Sequence, residues 1–325
     1  LNLRPRGWAP GDAPNERVQE GVGEGGRTFR ALVTTSGSRG AMPALSAQRA
    51  DIGMASRVPN AEELAAFRTA FGLEANAVPQ EVVVALDGLA IVVHAENEVQ
   101  SLTIDQVRDI YAGQITNWSD VGGADRPIRL YAREEADAAW VQFSQTVLRR
   151  RAPAREIERL ESDSELGAQI AGEEGAIGII PFAFIGNNRA LNLTASCGIE
   201  YETNEFGLKT EDYPLSRRNT LLMSPRAGEQ PQEFGRFSAA SSSYEIVHDA
   251  GYVSMAPVLG TREYTTFRLL DATRAAPAAP DARYAEAMLQ YNIATRGALR
   301  LSTTFRFVAG SAQLDARGVE DIERV

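Results

Sequence analysis

Apolar positions along the chain fall into two alternating rhythms. Phe29, Ala31, Leu32 and Val33 predict a strand that runs into the turn-forming Ser36-Gly37-Ser38-Arg39-Gly40. Met42 and Leu45, three residues apart, predict a short helix behind that turn, and residues 51–54 a short strand. Asn60 and Glu63 are spaced as a capping box, with Leu64, Phe67 and Phe71 on one helical face after it. Residues 82–94 (VVVALDGLAIVVH) are nearly continuous in aliphatic and β-branched types, which predicts one long strand, or two consecutive ones, buried on both faces. A second capping box, Thr103 and Gln106, opens a helix with the stripe Ile104, Val107, Ile110 and Tyr111, and Gly113 ends it.

The same alternation continues. Residues 128–131 predict a strand and 138–148 a helix with Trp140, Val141, Ser144, Val147 and Leu148 on or near one face. Ser162 and Asp163 cap a helix through Ile170, and residues 176–182 (AIGIIPF) form a buried strand. Residues 220–223 predict a further strand and 234–247 a helix. Strands alternating with helices place the chain in the α/β class, with mostly parallel sheets expected. Residues 1–26, rich in Gly, Pro and charge, predict a loop or arm. Residues 273–283 (TRAAPAAPDAR) suit a linker, 284–291 a helix, and 299–307 (LRLSTTFRF) a half-buried strand.

A length of 325 residues suits about two domains. The net charge of −10 argues against a nucleic-acid partner, which needs a clustered basic face, and against an acidic membrane surface. It does not argue against a small anion, which a few local donors can hold. One cysteine, Cys197, excludes an internal disulfide and a cysteine metal cluster. His94 and His248 lie far apart and are expected to be structural. No apolar run is long enough for a membrane span, and no leader segment is visible at the start. Neither a nucleophile elbow, a Walker loop, a zincin motif nor a clean G-x-G-x-x-G is present. We therefore expect no enzyme, no metal and no cofactor.

The segment Ser36-Gly37-Ser38-Arg39-Gly40-Ala41 follows a strand and opens a helix. That arrangement aims backbone N–H groups and the positive end of a helix dipole at one spot, with Ser38 adding a hydroxyl. It suits an oxyanion, although a plain N-cap with a glycine turn is the simpler alternative. Arg57 and Arg133 are the cationic candidates. Arg133 sits after a strand and before a helix, where a crevice opens in α/β sheets, and a guanidinium fork matches a tetrahedral oxyanion.

Several stretches resemble the PstS-type, phosphate-binding branch of solute-binding proteins: SGSRGAMPALSAQRADIGMASR (36–57), ALDGLAIVVHAENEVQSLTIDQVRDIYAGQITNWSDVGG (85–123), IRLYARE (128–134), AIGIIPF (176–182) and KTEDYPLSR (209–217). The resemblance implies a two-lobed, type II periplasmic-binding-protein-like fold with a hinge crossed twice and a ligand cleft between the lobes. It implies one lobe from residues 29–90 and 200–258 and another from 91–199. Carried over by position, it implies that Ser38, Arg39, Ser56, Arg57 and Arg133 touch the ligand. The Gly-Ser-Gly-Thr turn usual after the ligand arginine reads Ala136-Asp137-Ala138-Ala139 here, so two hydroxyl donors are lost and Asp137 brings a carboxylate to the site. A carboxylate repels a phosphate dianion unless one of them is protonated. The departures from the family pattern thus imply weak phosphate binding, a different ligand, or none.

Residues 299–325 resemble the first strand and helix start of an OmpA-like domain, which implies a peptidoglycan tether through residues beyond this segment. The function expected is capture of a small oxyanion, phosphate first, in the periplasm or envelope of a Gram-negative bacterium, with an ABC permease as a possible partner. The alternative is a degenerate binding fold that serves as a peptidoglycan-tethered scaffold.

Overall fold

The computed structural model describes residues 9–11, 13, 15–22, 28–195, 200–260, 282–294, 297–303, 311–314, 318 and 321–322. The glycine-rich run 23–26, Cys197, the 273–283 linker except its last two residues, and most of the 304–325 tail lie outside the described residues. The chain divides into two compact units, residues 1–81 with 221–232, and residues 82–220 with 233–325.

In the first unit, β1 (Ala9–Pro10), β2 (Glu16–Val22) and β3 (Thr28–Thr34) form an antiparallel sheet in which Val18 faces Leu32 in register. Part of the stretch read as a loop is therefore strand. Its apolar positions, Val18 and Val22, are too sparse between charges to show a period of two. Helix α1 (Ser38–Ser46), strand β4 (Ile52–Ala55) and helix α2 (Ala61–Phe71) follow. Their apolar faces meet in a core of Met42, Leu45, Ala55, Phe67 and Leu222. The expected capping box is present: Asn60 Oδ1 accepts from Glu63 N at 2.9 Å, and Glu63 Oε2 accepts from Asn60 N at 2.8 Å. Gly72 takes a left-handed φ of 66°, which closes α2 at no steric cost.

The second unit is built on β5 (Gln80–Val93), β7 (Arg129–Arg133), β8 (Glu158–Leu160), β9 (Ala176–Pro181) and β13 (Ser216–Met223), in the order β13-β5-β9-β7-β8. Strands β9, β7 and β8 run parallel. β5 is antiparallel to β9 and to the short strands β10 (Arg189–Ala190) and β14 (Val253–Ser254). The sheet is mixed, not mostly parallel as the alternation of elements predicted, because β5 runs against β9, β10 and β14. A small sheet of β6 (Ser101–Thr103), β11 (Asn192–Thr194) and β12 (Glu200–Tyr201) stands apart from it.

Helices α3 (Ile104–Tyr111), α4 (Ala138–Phe143), α5 (Asp163–Gly172) and α6 (Glu205–Lys209) complete this part of the unit. The helix expected over 138–148 is α-helical only to Phe143 and continues as a π-helical turn through Leu148. The helix expected over 234–247 is two, α7 (Glu229–Ala239) and α8 (Tyr244–Asp249), divided at the serine run 241–243. Serines compete with the helical ladder for backbone groups. A last helix, α9 (Ala282–Ala294), covers the stretch expected to be helical.

Buried aromatics fix the β7 end of the sheet. The Tyr111 and Phe143 rings lie 4.9 Å apart and those of Trp140 and Phe143 5.6 Å apart. Tyr111 donates its hydroxyl to Tyr131 O at 3.1 Å, and Trp118 donates Nε1–H to Gly175 O at 3.0 Å. A Cβ on Gly178 would lie 2.2 Å from Ile170 Cδ1. The glycine therefore lets α5 lie directly on β9, and that seat determines where the first residue of α5 falls.

Candidate functional site

Arg133 is the last residue of β7 and pairs in register with Leu160, the last residue of β8. Three residues beyond Leu160 the chain enters α5 at Asp163, and four beyond Arg133 it reaches Asp137, the N-cap of α4. The parallel pairing of β7 and β8 thus gathers one guanidinium and two carboxylates at the carboxyl ends of the strands, where α/β sheets hold ligands.

The Arg133 side chain is only 16% exposed. Its Nη1 donates to Leu160 O at 2.9 Å, its Nη2 lies 3.7 Å from Asp137 Oδ2, and its Nε lies 3.5 Å from Asp163 Oδ1. Asp137 Oδ1 accepts from Ala139 N at 2.8 Å, an N-cap bond. Asp163 has no such support. Its Oδ1 and the Arg133 Nε are both shielded from water and make no hydrogen bond. Burial pushes the Asp163 carboxyl above the usual carboxylate range; Arg133 and Arg217 oppose this, and the charges of Asp137 and Asp87 add to it.

Around this centre lie two further arginines. Arg159 stacks its guanidinium 3.8 Å from the centre of the Trp140 ring and donates Nη1–H to Arg133 O at 2.8 Å, so it braces the Arg133 backbone. Arg217 on β13 donates Nε–H and Nη2–H to Asp87 Oδ2 at 2.8 and 2.6 Å. Asp87 is 2% exposed on β5, and its Oδ1 makes no hydrogen bond.

The other sequence candidates belong to the first unit. Ser38 opens α1, and its Oγ accepts from Ser56 N at 3.0 Å and lies 3.1 Å from Ser56 Oγ. The structure therefore brings Ser38 and Ser56 together as a pair of hydroxyls beside the Gly37 turn, where φ is 64°. Arg39, the next residue of α1, is exposed. Arg57 is held elsewhere: both its terminal nitrogens bind Glu63, at 2.8 and 2.5 Å, and Nη1 also reaches Val58 O at 3.2 Å. The Glu63 hydrogen bonds hold the Arg57 guanidinium above its usual range, and Arg57 in turn holds the Glu63 carboxyl below its own. Arg57 therefore acts as a brace of the α2 cap. The spacing of Arg57 ahead of the Asn60–Glu63 box was the available signal for this.

Sequence reasoning missed Asp163, Asp87 and Arg217 as members of the Arg133 cluster. Asp163 was legible only as a helix-capping residue, because the strand before it, β8, is three residues long. Among the described residues no group of His, Cys, Asp and Glu could hold a metal ion, and no helix is long and apolar enough to cross a membrane.

Residues 23–243 match the family model described as a PBP superfamily domain. The phosphate-binding protein PstS of Pseudomonas aeruginosa is 25% identical over 241 residues, covering 69% of this chain and 73% of that protein. The protein of the same name from Bacillus subtilis is 25% identical over 193 residues, and the match spans 59% of this chain and 63% of the relative's length. Among solved structures, an ABC-type phosphate transport receptor from Vibrio cholerae is similar, with a TM-score of 0.56 and 27% identity over 67% of this chain and 85% of that one.

Proposed function

Since the chain belongs to the PBP superfamily, we propose that it is a PstS-type solute-binding protein that captures phosphate or a related tetrahedral oxyanion in the cell envelope. The observation that carries this reading is Arg133, presented at the carboxyl end of β7 with a guanidinium whose one hydrogen bond among the described residues is to Leu160 O. The names of the relatives, all phosphate receptors, give the anion class. Within the first unit, the hydroxyls of Ser38 and Ser56 and the exposed Arg39 are proposed as anion donors, while Arg57 has its guanidinium taken up by Glu63. We read an ABC permease as the partner of such a receptor. The resemblance of residues 299–325 to an OmpA-like domain supports a further proposal, a peptidoglycan tether in a Gram-negative periplasm.

Electrostatics limits the affinity. Arg133 carries one positive charge against two carboxylates, Asp137 and Asp163, and the Arg217–Asp87 pair is neutral as a whole. A phosphate dianion is therefore met by net negative charge, and its dissociation constant should exceed about 1 μM. Asp137→Ser keeps a good N-cap for α4, removes one carboxylate and restores a hydroxyl donor. This variant is expected to bind phosphate about tenfold tighter, a gain of ~1.4 kcal/mol.

A thermal-shift panel of phosphate, sulfate and arsenate on both proteins tests the reading. Stabilisation that follows mass action, larger for the serine variant, supports it. No shift with any oxyanion in either protein would refute it and favour the scaffold alternative.

A further inference from the structure

We propose that an oxyanion binds at Arg133 together with one proton, which the Asp163 carboxyl carries. This rests on the oxyanion-binding reading above and adds a proton to it. The groups that face Asp163 are Arg133 on β7, Asp137 at the start of α4, Arg217 on β13 and Asp87 on β5. Arg217 is committed to Asp87 through two hydrogen bonds, and Arg159 lies on Trp140 with its Nη2 3.9 Å from Glu135. That leaves one guanidinium to answer two carboxylates, and an incoming anion worsens the imbalance unless a proton enters with it.

Of the two carboxylates, Asp163 is the one suited to take that proton. Asp137 already spends one oxygen on the Ala139 N–H that it caps. Asp163 makes no hydrogen bond, has one oxygen closed to water, and is 23% exposed. Burial already raises its pKa. Protonated, Asp163 changes from a charge that repels an anion into a donor that can hold one. The sign follows from the direction of the shift. The neutral form is populated at low pH and lost as pH rises through the raised pKa, so affinity falls as pH rises.

Sulfate is the decisive probe, because its charge does not change between mildly acid and mildly alkaline pH whereas that of phosphate does. Isothermal titration calorimetry of the whole chain with sulfate, near pH 5 and near pH 8, is expected to show at least about tenfold tighter binding at the lower pH. Repeating the titration near pH 8, where free Asp163 is ionised, in two buffers of different ionisation enthalpy is expected to show uptake of about one proton per anion. In Asp163→Asn, which keeps the shape and supplies an amide donor, both the pH dependence and the proton uptake should vanish, with affinity close to the acid-limb value of the parent.

Sulfate or phosphate binding by the parent protein with no proton uptake would overturn the inference and leave the oxyanion reading intact. So would an unchanged pH profile in Asp163→Asn. The parent's proton count stands by itself even if the variant folds poorly. No heat from either anion, at either pH, would overturn the inference together with the reading it rests on.

Discussion

Replacing Arg217 by methionine is expected to cost about 3–5 kcal/mol of folding stability near neutral pH, a larger loss than removal of any other charge in the Arg133 cluster should cause. Its partner Asp87 is 2% exposed, and both of the hydrogen bonds it receives from Arg217 fall on one oxygen. Its other oxygen already has no partner. Without the guanidinium, a carboxylate is left inside the sheet with neither water nor a countercharge. It must then stay charged at high cost or take up a proton.

The double variant Asp87→Leu with Arg217→Met removes both charges together and should lie within about 1–2 kcal/mol of the parent. Chemical denaturation near pH 7 checks both expectations. A loss below about 1 kcal/mol in Arg217→Met would show that the pair is not a structural brace.

Replacing Arg133 by glutamine is expected to weaken oxyanion binding at least about a hundredfold, or ~2.7 kcal/mol. Two effects act in one direction. The ligand loses a charge-assisted donor, and Asp137 and Asp163 lose the cation that lies 3.7 and 3.5 Å from them. The effect on folding should be far smaller than for Arg217, because these side chains are 16–28% exposed and water screens the charges that remain. Large loss of binding with small loss of stability distinguishes a ligand residue from a brace. Titration and denaturation of the same variant give both readings, and a binding loss under about threefold would remove Arg133 from the site.

The parts of the fold legible in the sequence were those written in local chemistry. The Asn60–Glu63 and Thr103–Gln106 boxes each specify a helix start through bonds between residues three apart, and both form as read. The aliphatic run of β5 was legible as one long strand or two consecutive ones, because a strand buried on both faces needs no alternation, and it forms one. What was illegible depends on pairing across the sequence. β8 is three residues long and carries no periodic signal, so nothing local shows that it lies parallel to β7. Asp163 reaches Arg133 only through that pairing.

The fate of the arginines has the same cause. Arg57 and Arg133 look alike in sequence, each near the end of a strand. One is claimed by Glu63 six residues away, and the other faces two aspartates at a distance that leaves its Nε without a hydrogen bond. The partner separates the two, and the residue type does not.

The central claim is that this chain holds a tetrahedral oxyanion against Arg133. Calorimetric titration of phosphate into the whole chain near neutral pH tests it most directly. The account predicts saturable one-to-one binding, weaker than about 1 μM and abolished by Arg133→Gln. Heats that never saturate at millimolar phosphate, or a binding curve that Arg133→Gln leaves unmoved, would contradict it.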